Sequence, residues 1–174
     1  MGIIGKNFKF KKVEGFLDKN LLTIFSSYCK IRHRDNFGPS AFFCKEVNME
    51  SSFNMDPLME ALLFNKKKLI EELTGKQLLP THSFWRMYTF FSELLPHKDI
   101  EDCEISVSIH IDSLGPSWPI YMEETAIETK PGDAIIYLGK ELTHHRKKFK
   151  GDFTSQCFLH YVDKNGPFKS WGKK

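Results

Sequence analysis

His97-Lys98-Asp99 and His110-Ile111-Asp112 each place an imidazole and a carboxylate two residues apart. Both are donor types that suit ferrous iron. A set of two histidines and one carboxylate holds that ion on one face and leaves its other positions open. Such a set needs a His-x-Asp near a strand end and a distal histidine from a later, neighbouring strand. Candidates for the distal ligand are His144, His145 and His160. His97 follows a strand pattern and Pro96, at a strand exit where donors can converge. His110 lies inside an unbroken alternating stretch, on the face of Ser106 and Ser108. His97 and Asp99 are therefore read as the ligand pair and His110/Asp112 as a decoy. The residues alone leave the third ligand open.

The elements that must position these groups change character along the chain. In "FLDKNLLTIFSSYC", Asp18 is placed to cap a helix whose Leu21, Ile24, Phe25 and Tyr28 recur at helical spacing. Asp56 and Pro57 open a second helix, with Leu58, Leu62, Leu69 and Leu73 along one face and Gly75 where a left-handed cap belongs. From about Ser83 the period becomes two. "FWRMYTFF", "CEISVSIHI", "WPIYMEE", "AIETK", "AIIYL" and "SQCFLHYV" read as short strands separated by turn residues such as Pro131-Gly132-Asp133. Helices first and strands after predict an α+β fold, a sandwich or double-sheet jelly roll with the helices packed on one sheet.

At 174 residues, with no internal repeat or linker, the chain reads as one domain, with a helical support region over 1–80 and a strand core over 81–171. No run approaches the roughly 18 apolar residues of a membrane span. The N-terminus lacks the apolar core of a signal peptide. Cys29, Cys44, Cys103 and Cys157 are widely spaced and form no CxxC, so reduced thiols and a cytoplasmic location are expected. The net charge of +3 is mild, and the "NKKKLIEE" and "HHRKKFKG" runs read as solvated faces, so nucleic acid is not favoured as a partner. His33 and His82 read as surface or turn residues, and His160 as a hydrogen-bonded structural histidine. Trp118 reads as core or sheet-edge packing.

The stretches "LTGKQLLPTHSFWRMYTFFSELLPHKDIEDCEISVSIHID", "WPIYMEE", "KPGDAIIYLGKELTHHRKKFKGD" and "QCFLHYVDKNG" resemble the 2-oxoglutarate- and Fe(II)-dependent oxygenases, in particular their prolyl-4-hydroxylase-like branch with a double-stranded β-helix. The likeness covers about residues 70–171, and the order and spacing of five motifs agree. It implies His97, Asp99 and His144 as the iron ligands, with His145 in the slot that the family fills with an aromatic residue and Arg146 after it. Strand parity agrees, since His144 and Arg146 would share a face. Tyr88 is implied to donate to the far carboxylate of 2-oxoglutarate.

Two positions depart from the family pattern. Phe91 stands where a glycine is usual, so it must tolerate that backbone or the turn must differ. The cation usual about ten residues beyond the distal histidine is missing, because that region reads Phe153, Thr154, Ser155, Gln156. A buried carboxylate needs a charged partner, and the planar fork of arginine serves it best. Of Arg32, Arg34, Arg86 and Arg146, the last is the preferred anchor and Arg86 the second choice. The resemblance thus implies Fe(II), 2-oxoglutarate and O2 in the hydroxylation of a substrate C–H bond, by family analogy on peptidyl proline or another protein side chain, with a small metabolite also open. The alternative is a catalytically inactive jelly-roll binding module. Oligomeric state cannot be read from the sequence.

Overall fold

Asp18 and Asp56 start the two helices. The Asp18 carboxylate accepts the backbone N–H groups of Asn20 and Leu21 at 2.9 and 3.0 Å, and Asp56 accepts that of Leu58 at 3.1 Å. Each satisfies N–H donors that the first turn of a helix leaves without partners. Gly75 ends the second helix at φ 70°, its N–H reaching the Glu71 carbonyl. The computed structural model describes residues 8–35 and 50–173. Cys44 lies outside the described residues, as does the side chain of Arg34.

The described elements are β1 (Phe10–Val13), α1 (Lys19–Asp35), β2 (Glu50–Asn54), α2 (Pro57–Thr74), β3 (Leu78–Thr89), β4 (Leu94–His97), β5 (Ile105–Leu114), β6 (Ile120–Met122), β7 (Thr125–Ile127), β8 (Ala134–Tyr137), β9 (His144–Arg146) and β10 (Phe153–Asp163). They form a six-stranded sheet in the order β1-β8-β5-β10-β3-β2 and a four-stranded sheet in the order β4-β9-β6-β7, antiparallel at every described pairing. The expected jelly roll with helices on one sheet is what the chain forms. The region 1–80 is less purely helical than expected, because it supplies β1 and β2, the two edges of the larger sheet, and the start of β3.

The larger sheet is apolar on the face turned to the helices. Ile105, Val107 and Ile109 of β5, Trp85 and Met87 of β3, and Leu159 and Tyr161 of β10 share a cluster with Phe25 and Cys29 of α1 and with Met59, Leu62, Leu63, Ile70 and Leu73 of α2. The buried stripe of α2 runs through Met59, Leu63 and Ile70, with Leu58 and Leu69 at its half-buried edge. Full burial stabilises each such aliphatic side chain by about 1.5–3 kcal/mol. The opposite face of the same strands looks toward the second sheet and carries Ser106, Ser108, His110, Gln156, His160 and Arg86. Inner faces of a sandwich normally interdigitate as its core. Here the largest cluster lies on the helix side, and the space between the sheets is divided between polar groups and two smaller clusters, Ile120, Met122, Ile127, Ile135, Tyr137 and Leu142 in one and Tyr88, Leu94 and Phe158 in the other.

Candidate metal centre

His97 and His144 are cross-strand partners on β4 and β9. Leu94 opposes Arg146 and His97 opposes His144, so β4 carries one residue more than β9 between the two pairs. That bulge matters. Three residues separate Leu94 from His97, and a regular strand would turn them to opposite faces. The extra residue re-aims His97 toward the inner side, as bulges beside sites commonly do. Asp99 follows two residues later, and its N–H is held by the Gly139 carbonyl at 2.9 Å.

The three side chains meet. His97 Nε2 lies 3.7 Å and His144 Nε2 3.5 Å from Asp99 Oδ1. One donor atom from each residue falls within 4.8 Å of the other two. The imidazoles are fixed in a ligand-ready orientation. His97 Nδ1 lies 2.8 Å from the Leu95 carbonyl and His144 Nδ1 lies 3.1 Å from the Leu142 carbonyl. A carbonyl only accepts, so each Nδ1 carries the hydrogen and each Nε2 keeps its lone pair for a metal. Tyr137 packs edge-on against the His144 ring, with centroids 4.9 Å apart.

Asp99 is anchored by its other oxygen. The Ser106 hydroxyl donates to Oδ2 at 2.7 Å and lies 2.9 Å from His160 Nδ1, which donates to it in turn. Burial alone would raise the Asp99 carboxyl; a hydrogen-bonding, charged His144, with help from His160 and Ser106, outweighs it and brings the pKa down to about 2. In that metal-free form the second imidazole hydrogen sits on His144 Nε2 facing Oδ1, and a bound cation would take its place beside the ionised carboxylate. This donor set fits Fe(II) or a similar divalent ion bound on one face.

The expected decoy behaves as one. The β5–β10 ladder shifts register between Ser155 and Gln156, which puts His110 inside and Asp112 outside. His110 Nδ1 turns to the Thr129 carbonyl at 3.1 Å, while Asp112 pairs with Lys30 and Ser26 of α1 at 2.7 and 2.6 Å. His145, another of the candidates for the distal ligand, points away and stacks on Tyr121 at 4.8 Å.

A cavity of about 600 Å³ opens over the triad, lined by His97, Asp99, His144, Tyr137, Tyr88 and Arg86 among others. Arg146 is not on that lining. It lies deeper, 2 % exposed, with its guanidinium 4.9 Å from the Trp118 ring and one Nη donating to the Trp118 carbonyl. Burial lowers its pKa to about 10, partly countered by Tyr88 and Tyr137. Among the described residues no carboxylate pairs with it. Its Nε, with Ser108 Oγ, His110 Nε2 and Gln156 Oε1, is buried without a hydrogen-bond partner. Trp118 is thus more than edge packing, since it caps this arginine.

Sequence reasoning missed three features. His82, expected at the surface, faces the cavity and stacks on His160 at 4.6 Å. Gly139 gives Asp99 its room, because a Cβ there would collide with Asp99 Oδ2 and come within 2.6 Å of Ser106 Oγ. Ser106 shares the face of His110 by parity, yet nothing in the sequence ties it to Asp99.

No protein-family model and no curated protein sequence matches the chain. Solved structures do. The collagen prolyl hydroxylase of Paramecium Bursaria Chlorella virus-1, solved as a 2OG complex, superposes with a TM-score of 0.68 at 10 % identity, covering 89 % of this chain and 96 % of that one. A prolyl-4-hydroxylase from Pseudomonas putida gives 0.70 at 12 % identity, covering 90 % and 94 %. A prolyl hydroxylase from Trichoplax adhaerens, in complex with a hypoxia inducible factor fragment, gives 0.73 at 12 % identity, covering 97 % and 89 %. The chain therefore has the fold of the 2-oxoglutarate- and Fe(II)-dependent oxygenases.

Proposed function

We propose that the chain is a 2-oxoglutarate- and Fe(II)-dependent dioxygenase that hydroxylates a C–H bond. The observation that carries this reading is the convergence of His97 Nε2, His144 Nε2 and Asp99 Oδ1, with both imidazoles fixed by carbonyls at Nδ1. When bound, iron, 2-oxoglutarate and oxygen supply the oxidising chemistry. The protein's part is geometric. His97, Asp99 and His144 hold one face of the ion, and Ser106 fixes which carboxylate oxygen faces it. Tyr137 and Phe158 line the chamber with aromatic surface.

Arg146 is the proposed anchor for the far carboxylate of 2-oxoglutarate, with Tyr88 donating its hydroxyl beside it. The support is a buried guanidinium two residues along β9 from His144 that has no carboxylate partner among the described residues. One observation favours Arg86 instead: it lines the cavity and Arg146 does not. The substrate is proposed to be a protein side chain such as peptidyl proline, by likeness to the hydroxylases above, or a small metabolite. The location is proposed to be the cytoplasm, consistent with the free thiols of Cys29, Cys103 and Cys157. No helix of the described residues is long and apolar enough to cross a membrane.

Anaerobic titration with Fe(II) and then 2-oxoglutarate tests the reading. A visible charge-transfer band that appears only with both, followed by succinate formation on exposure to oxygen, is the expected result. Failure to retain iron, with no band, favours a binding module on the same fold.

A further inference from the structure

A second group of donors lines the same cavity as the triad and is joined to it through Ser106, which contacts both Asp99 and His160. We propose that His82, Cys103 and His160 form a further metal site, for a thiolate-binding divalent ion with tetrahedral preference such as Zn(II). One donor atom from each falls within 4.8 Å of the other two. His82 Nε2 is 3.9 Å from Cys103 Sγ, and the two imidazole rings lie 4.6 Å apart at 30°. Zinc–sulfur and zinc–nitrogen bonds of tetrahedral geometry put sulfur and nitrogen about 3.6 Å apart. Closing the present gap asks only a small side-chain shift.

The orientation of the rings repeats the device of the triad. His82 Nδ1 lies 3.5 Å from Asp102 Oδ2, and His160 Nδ1 lies 2.9 Å from Ser106 Oγ. Ser106 spends its one hydrogen on Asp99, so His160 must donate from Nδ1. The Asp102 carboxylate, 3.5 Å away and beyond a normal hydrogen bond, favours by its charge a hydrogen on His82 Nδ1. Both Nε2 atoms are left with lone pairs. Three separate elements supply the ligands: β3, β10 and the short 3-10 turn Glu101–Cys103. The β10–β3 ladder also breaks its register at His160, passing from Leu159–Ser83 to Tyr161–Pro80, as ladders do where a side chain is re-aimed.

All three residues line the cavity, so the fourth position of the ion would open onto it. Binding would release the Cys103 S–H proton to solvent as the metal–sulfur bond forms. Thiolate also separates the two centres by preference: the triad offers only nitrogen and oxygen, whereas this set contains soft sulfur. The site stands on its own residues and does not depend on the oxygenase reading.

Cobalt(II) is the probe, added anaerobically to the metal-free, reduced full-length chain. A tetrahedral cobalt–thiolate centre absorbs strongly in the visible and gives a sulfur-to-metal charge-transfer band, while the triad's nitrogen and oxygen donors give only weak absorption. Wild type should bind two cobalt ions per chain, one with the thiolate signature, and Zn(II) should erase that signature. Cys103→Ser should lose it and bind one ion, and His82→Gln should weaken it by at least about tenfold. The His97→Ala/His144→Ala variant should keep it, which separates this site from the triad. Absence of the thiolate band in wild type overturns the proposal, as does its survival in Cys103→Ser. Should Cys103→Ser not fold, an unchanged affinity in His82→Gln overturns it instead.

Discussion

Ser106 Oγ sits 2.7 Å from Asp99 Oδ2, on the carboxylate oxygen that does not face the two histidines. The serine therefore decides which oxygen is offered to a metal. Partners of this kind fix a ligand's orientation, and their loss typically costs ten- to a hundredfold in affinity. Ser106→Ala should lower Fe(II) affinity by about that factor while all three ligands remain. Competition against a chelator of known affinity measures it. An unchanged affinity would mean that Gly139 and the backbone hold Asp99 unaided.

Gly139 acts on the same oxygen by leaving space. A methyl group there would overlap Asp99 Oδ2 and press on the Cys103 carbonyl at 2.6 Å, and the latter is backbone that cannot swing aside. The carboxylate is the part that must move. Gly139→Ala should weaken metal binding by at least about tenfold. It should also lower stability, since overpacking costs about 1–3 kcal/mol. A metal titration and a denaturant melt on the same sample separate the two effects.

The two arginines can be ranked by the ligand alone. Removing one partner of a buried, hydrogen-bonded charge pair costs about 2–5 kcal/mol, so Arg146→Gln should raise the Kd for 2-oxoglutarate by at least roughly thirtyfold in the iron-loaded protein. Arg86→Gln should change it by less than about threefold. Without 2-oxoglutarate, Arg146→Gln should not lower the melting temperature, because it removes a buried charge that lacks a carboxylate. The reverse ranking in the binding assay transfers the anchor to Arg86.

The pair His97 and Asp99 was legible as a pattern of types, His-x-Asp at a strand exit, whereas His144 was singled out only through the family resemblance; the structure brings all three together. The parity that sets His144 and Arg146 on one face also held. What the sequence hid are relations across the sheets. The bulge that re-aims His97 is a property of the β4–β9 pairing, and β4 and β9 are too short to show an alternating period. His82 read as a surface or turn residue, yet it lies within β3, at the point where that strand's ladder with β10 shifts register. Ser106, Gly139 and His160 are ordinary residues far apart in the chain. Only the packing of β5, β10 and the turn after β8 makes them neighbours of Asp99.

Phe91, by contrast, announced its difficulty. It occupies a glycine slot and adopts the backbone a glycine would, at φ 68°. Its N–H is held by the Phe149 carbonyl at 3.0 Å, and its side chain is 55 % exposed. Left-handed backbone costs a side-chain-bearing residue roughly 1–2 kcal/mol, and little burial offsets it here. Phe91→Gly should therefore stabilise the chain by up to about 1 kcal/mol, after the entropy of glycine is subtracted. Denaturant unfolding reads this directly, and a clear loss of stability would show that the edge-on contact with the Phe90 ring, 4.2 Å between centroids, matters more than the strain.

Buried histidines set the acid limit of the fold. Burial, aided by the charge of Arg146, lowers His110 to about 4 against Asp112, Asp133 and the Thr129 carbonyl, which pull the other way. In the unfolded chain the same imidazole titrates near 6.5. Between those values the unfolded state binds the proton and the native state does not, so stability falls as pH drops below about 6.5 and stops falling near 4. From pH 7 to pH 5 this one residue accounts for about 2 kcal/mol. His160 shifts in the same direction, chiefly by burial. Asp99 contributes in a different window: its pKa of about 2 gives stability that is present above 3.8 and lost only as pH falls toward 2. In metal-free protein, His110→Gln should flatten the decline between pH 7 and pH 5 by about 2 kcal/mol, measured by denaturant unfolding at each pH. An unchanged slope would mean that His110 is already protonated in the fold.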